Sequence, residues 1–132
     1  MDETRKDLVK YRMDKAKENL DSANILLNDG KINKSITCSY YAMFFAAKAV
    51  LATKEIDRKT HKGVIIKFNE EFIKTDEIPK EYSKMLGTAK SDREEAEYAD
   101  FIEYNEEEAK IQYNYACKFV EFMKNYLSDY LR

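Results

Sequence analysis

Apolar side chains recur along this chain at alternating steps of four and three, the spacing that lines them up on one face of an α-helix. From about Asp7 to Asn28 the stripe is Val9, Met13, Ala16, Leu20, Ala23 and Leu27, and Gly30 follows as a stop. From Asn33 to about Lys54 the pattern is apolar on nearly every side, with Tyr40, Tyr41, Met43, Phe44, Phe45, Val50 and Leu51 among small residues. Such a helix is expected at the buried centre of a bundle, where Ala42, Ala46 and Ala49 let a neighbouring backbone come close. Its surplus of aromatic surface also suits a subunit interface.

The pattern lapses between Glu55 and Lys62, and Thr60 is placed to cap a shorter helix carrying Val64, Ile65, Phe68 and Phe72. Pro79 marks the first turn of the next helix, which puts Tyr82, Met85, Leu86 and Ala89 on one face and Arg93 in its final turns. Tyr98 to Tyr104 reads as a connection. Asn105 with Glu108 three residues on has the form of a capping box, and Ala109, Tyr113, Ala116, Val120, Met123, Leu127 and Tyr130 restore the four-three rhythm. Four long helices, one shorter one and short connections predict an all-α, antiparallel up-and-down bundle, with residues 1–132 forming a single domain.

Composition agrees, since three Gly and one Pro in 132 residues leave little material for the turns of a β fold. The 23 basic and 25 acidic side chains nearly cancel, so no global field draws nucleic acid in and any such contact must be local. One locality is basic: Lys54, Arg58, Lys59, Lys62 and Lys67 surround the single histidine, His61. The segment from Lys90 to Lys110 is its acidic counterpart. The charged first ten residues and the lack of an 18-residue uncharged apolar run predict a cytoplasmic protein with no membrane contact. Cys38 and Cys117 sit inside helical runs and read as free thiols.

Candidate chemistry narrows by elimination. A single histidine and no Glu-x-x-His element leave no basis for a metal centre or other cofactor, no glycine-flanked serine elbow is present, and Gly30, Gly63 and Gly87 are too scattered to cradle phosphate. What remains is His61, within Arg58-Lys-Thr-His-Lys-Gly63, together with Arg93 and Tyr98. Arg93 stands among carboxylates, so it either bridges to Glu97 one turn on or contacts an anion. His61 lies near a helix N-terminus among cations, which favours its neutral form; it either packs or caps there, or it accepts a proton or holds an anion. Tyr98 is either a core tyrosine or a partner of Arg93. Five residues along an unbroken helix would separate Arg93 and Tyr98 by about 140°, so they converge only if the helix ends first.

Three blocks, Ser39-Tyr-Tyr-Ala-Met-Phe-Phe-Ala-Ala-Lys-Ala-Val-Leu51, Lys59-Thr-His-Lys-Gly-Val-Ile65 and Arg93-Glu-Glu-Ala-Glu-Tyr98, resemble in order and spacing the HEPN domain family, particularly its small stand-alone prokaryotic branch. The resemblance runs from about Tyr11 to Tyr126. It implies a dimeric fold of four or five helices that associates with nucleotide or RNA, often as a toxin component beside a minimal nucleotidyltransferase. Active relatives are implied to be metal-independent ribonucleases in which an arginine is followed four to six residues later by a histidine. Here Arg93 matches the arginine and Tyr98 stands where the histidine would be. By that resemblance Arg93 stabilises negative charge, Tyr98 orients ribose or phosphate, His61 is the side chain suited to proton transfer, and Arg58, Lys59 and Lys62 hold the ligand. The alternative is a non-catalytic protein-interaction module that dimerises through the aromatic-rich helix.

Overall fold

A computed structural model describes residues 3–132. The helices run α1 (Glu3–Asn28), α2 (Ile32–Thr53), α3 (His61–Phe68), α4 (Lys80–Tyr98) and α5 (Glu106–Leu127), and a π-helical turn, Asn69–Ile73, prolongs α3. This is the all-α bundle of four long helices and one shorter one that the apolar rhythm predicts. α1 begins at Glu3, ahead of the expected Asp7, and other boundaries differ as well. Phe72 lies in the π turn, Pro79 caps α4 from just outside it, Tyr98 closes α4 instead of opening the connection, and α5 stops at Leu127 before Tyr130.

Each helix end has a local cause. Gly30 takes φ +77°, and its N–H and that of Lys31 return to the carbonyls of Leu27 (3.1 Å) and Leu26 (2.8 Å), pairing the last acceptors of α1. Thr60 Oγ1 accepts from Gly63 N (2.9 Å) at the start of α3. The capping box of α5 is complete, with Glu108 N donating to Asn105 Oδ1 (2.8 Å) and Asn105 N donating to Glu108 Oε1 (3.0 Å).

α2 is the axis of the bundle, and its apolar surface is spent inside the chain. Its length and composition alone would let it cross a membrane, but 67% of that window is buried by the other helices, as in a core helix. Two hydrogen bonds fix the face it turns to α1: Ser35 Oγ donates to the Ala23 carbonyl (2.7 Å) and Arg12 Nη1 donates to the Lys48 carbonyl (3.1 Å). From Ser35 on, Ser39, Ala42, Ala46 and Ala49 continue the stripe at helical spacing, and together with Ala16 and Ala23 of α1 all six are fully buried. Small residues on both sides bring the backbones together, so a larger one has no room. Ala46→Leu is expected to cost about 1–3 kcal/mol through overpacking, seen as a lower urea midpoint at unchanged m-value.

The two connections beside the site are tied down by polar side chains. Arg12, reaching from α1, pairs with Asp57 (3.1 Å) and so fixes the segment that leads into His61. Asn33 donates to the carbonyls of Ile102 (3.0 Å) and Ala96 (3.3 Å) and accepts from Tyr104 N (3.0 Å), which anchors the α4–α5 connection to the start of α2.

Candidate functional site

α2, the start of α3 and the last turns of α4 meet around two tyrosines that adjoin in sequence. A helix separates neighbours by about 100°, so Tyr40 and Tyr41 splay: Tyr40 is fully buried, and Tyr41 is half-buried toward α4. Tyr40 hydrogen-bonds His61 Nδ1 at 2.6 Å, and the imidazole stacks on Phe44 with centroids 4.4 Å apart. Arg93 approaches from α4. Its guanidinium carbon lies 5.7 Å from the Tyr40 ring centroid and 5.3 Å from those of Tyr41 and Tyr98, a three-sided aromatic frame suited to a delocalised cation. Nη2 donates to the hydroxyls of Tyr41 (2.8 Å) and Tyr98 (3.3 Å).

Of the two readings of Arg93 open in the sequence, the structure shows the bridge to Glu97. Nε lies 3.1 Å from Glu97 Oε2, the one-turn ion pair, yet the carboxylate sits off the N–H axis and no aligned acceptor meets Nε. Nη1 donates no hydrogen bond within the described residues. Arg93 is therefore held in one orientation, its side chain 12% exposed, with one nitrogen uncommitted.

The expectation that Arg93 and Tyr98 diverge unless the helix ends first needs correction. Both belong to α4 and they still meet. Helical side chains lean toward the N-terminus, so the Tyr98 ring tilts back over the preceding turn, and the long arginine reaches across the remaining angle. Tyr98 is no core tyrosine either, being 69% exposed.

His61 is pushed below the usual histidine range, first by burial and then by the charges of Arg93, Lys90 and Lys48, with Glu94 opposing. These surroundings favour its neutral form. Burial raises the Tyr40 hydroxyl well above an ordinary tyrosine's value, and contact with the Glu97 carboxylate raises that of Tyr98, so both remain phenols.

Arg58, Lys59 and Lys62 stand apart from this cluster. All three are exposed, and Arg58 donates to the Asp57 carbonyl (2.9 Å) instead of reaching Arg93. The cations that do face His61 are Lys48, whose Nζ lies 5.8 Å from the Phe44 centroid, and Lys90, paired with Glu94 at 2.6 Å. Reading the sequence missed them, along with the roles of Tyr40 and Tyr41. A signal was available: Lys48 is the single charge between Ser35 and Thr53, and it ends the stripe Tyr41, Phe44, Lys48. Beside the cluster, and sharing Glu97 with it, lies a cleft of ≈ 540 Å³ walled by Leu26, Asn33, Lys34, Thr37, Cys38 and Ala96.

The HEPN domain model matches residues 9–126. A UPF0332 protein of Thermotoga maritima is 30% identical over 125 residues, 95% of either chain. A protein of Methanocaldococcus jannaschii named "Putative toxin" is 36% identical over 115 residues, 87% of this chain and 78% of its own. A second protein so named in that organism is 34% identical over 88% of this chain and 86% of its own. With the helical bundle in place and the match spanning almost its full length, the chain belongs to the HEPN domain family.

Proposed function

We propose that this chain is a nucleotide- or RNA-binding HEPN protein that grips phosphate at the Arg93–His61 cluster, as the toxin-like component of a toxin–antitoxin or nucleotidyltransferase pair. One observation carries the reading: Arg93 and His61, 32 positions apart, pack on the same buried Tyr40 ring, and Arg93 keeps a nitrogen free. A guanidinium fixed by its surroundings loses little freedom on meeting phosphate, and its fork matches two phosphate oxygens. Tyr98 and the fully exposed Phe101 supply π-faces for bases at the end of α4. Phe101 is held at φ +63°, a conformation bulky residues seldom adopt, which is in keeping with a functional position. The neighbouring cleft falls within the size range of small-ligand sites and is large enough for a nucleoside.

Residues 1–132 act in this reading as one domain, as a homodimer, with a minimal nucleotidyltransferase as the partner. The names of the two Methanocaldococcus relatives support the toxin-like assignment. Binding has better support than cleavage, because Tyr98 holds its proton firmly and a phenol of that kind is a poor base at pH 7. A module that docks partners through the rings of α2 has less support, since Tyr40 and Phe44 are buried within the chain.

Titrating a short RNA and ATP into the protein tests the reading. Saturable binding that His61→Ala weakens several-fold at unchanged helicity is expected, and no binding by the unaltered chain overturns it. In EDTA, RNA incubated with the protein is expected to yield no 2′,3′-cyclic phosphate end.

A further inference from the structure

The hydrogen bond between Tyr40 and His61 decides what the histidine can do. Tyr40 has no measurable exposure, and within the described residues its hydroxyl meets a single hydrogen-bonding partner, His61 Nδ1 at 2.6 Å. A buried hydroxyl hydrogen needs an acceptor. If Nδ1 carried the imidazole proton, both groups would offer a hydrogen to the same short gap, and the Tyr40 hydrogen would be left without an acceptor. If Tyr40 donates to a bare Nδ1, every group is satisfied.

We infer that Tyr40 locks His61 in the tautomer that carries its proton on Nε2, which makes the histidine a hydrogen-bond donor for a phosphate oxygen and removes it as a general base. The inference rests on the phosphate-binding reading for its ligand, whereas the tautomer itself follows from the contacts of Tyr40.

The surroundings favour the same state. Lys48 comes from α2, Lys90 and Arg93 come from α4, and all three disfavour a positive charge on the ring, with Glu94 opposing them. Phe44 covers one face of the imidazole. In a neutral ring whose Nδ1 is already engaged, Nε2–H is the remaining polar atom. A neutral imidazole N–H is too weak an acid to hand its proton on, so it can hold an anion without transferring anything to it. Arg93 and His61, braced by the same tyrosine, are then both donors, and neither can take a proton from the ligand. Tyr40 is a positioning residue: it touches no ligand and acts through the histidine.

Because the chain has one histidine, its ring nitrogens give one set of signals in a long-range ¹H–¹⁵N correlation spectrum. At pH 7 the unaltered protein is expected to show a protonated Nε2 and an unprotonated, hydrogen-bonded Nδ1. In Tyr40→Phe, which keeps the ring and loses the donor, the lock is expected to relax into a mixture of tautomers, and the pH at which the ring titrates should rise. A protonated Nδ1 in the unaltered protein overturns the inference without recourse to any variant. So does an unchanged nitrogen pattern in a Tyr40→Phe protein of normal helicity. Adding the short RNA to the same samples separates the two readings. The expected tautomer with no response to RNA leaves the lock standing and removes the ligand; RNA binding with the opposite tautomer does the reverse.

Discussion

Arg93→Ala is expected to weaken RNA or nucleotide binding by roughly 30- to 150-fold, the equivalent of about 2–3 kcal/mol for a lost charge-assisted contact. The helices should be unaffected. Arg93 stands on the last turns of α4, and the groups it leaves behind, the Tyr41 and Tyr98 hydroxyls and the Glu97 carboxylate, all reach water at least in part. Far-UV circular dichroism should therefore match the unaltered protein while the fluorescence-anisotropy titration with a labelled oligonucleotide moves to a correspondingly higher midpoint. The salt dependence supplies a second readout. Losing one phosphate contact should lower the slope of log K against log salt by about one unit. Arg93→Lys restores the charge without the planar fork that the three tyrosines frame, so it should recover only part of the affinity. Affinity equal to the unaltered protein in Arg93→Ala would leave the guanidinium a structural bridge to Glu97 and remove the basis of the proposed function.

The bundle was legible in the sequence because burial in a helix is a periodic property, and the two-turn step from Val9 to Ala16 to Ala23 or the four-three spacing of Ala116, Val120 and Met123 records it directly. Capping chemistry was equally open at Thr60 and at Asn105 with Glu108, where one short-range pattern determines one short-range bond. The site was legible only as a set of residue types. Arg93, His61 and Tyr98 stand out because they are rare or oddly placed, but what joins them is the buried edge of α2, and nothing local marks Tyr40 as the hinge between two distant segments. Periodicity says that Tyr40 is inside; it does not say which polar group waits there. The basic run at Arg58, Lys59 and Lys62 shows the same limit, because linear charge density describes the solvated side of a helix entry, and the cations that face His61 come from two other helices.

Phe119→Ala is the largest stability change expected, about 3–5 kcal/mol, and it reaches the site by way of α3. Phe119 is fully buried on α5, with ring centroids 5.9 Å from both Phe68 on α3 and Tyr82 on α4; Phe68 continues to Phe72 at 6.0 Å and Tyr82 to Phe122 at 4.4 Å. No ring of this cluster is in ring contact with Tyr40, Tyr41, Phe44 or His61 among the described residues, so the two ends of α3 are held by separate sets of contacts. The helix has eight residues and buries only Val64 and Phe68, too little to persist once its anchor is removed, since a helix so short has marginal stability of its own. A truncated Phe119 leaves a void under Phe68 at one end of α3, and His61 stands at the other. For a chain of this size the loss should lower the melting temperature by about 10–20 °C, and native-state amide exchange should show α3 losing protection ahead of α1 and α2. RNA affinity at low temperature should fall by a smaller factor than in Arg93→Ala, because the frame of Tyr40, Tyr41 and Tyr98 around Arg93 makes no use of α3. Phe119→Leu, which returns most of the volume, should restore both the exchange pattern and most of the stability. A cost below about 1 kcal/mol, or α3 amides that stay as protected as those of α2, would mean that His61 is positioned by the Arg12–Asp57 pair and the Tyr40 hydrogen bond, without help from the aromatic cluster.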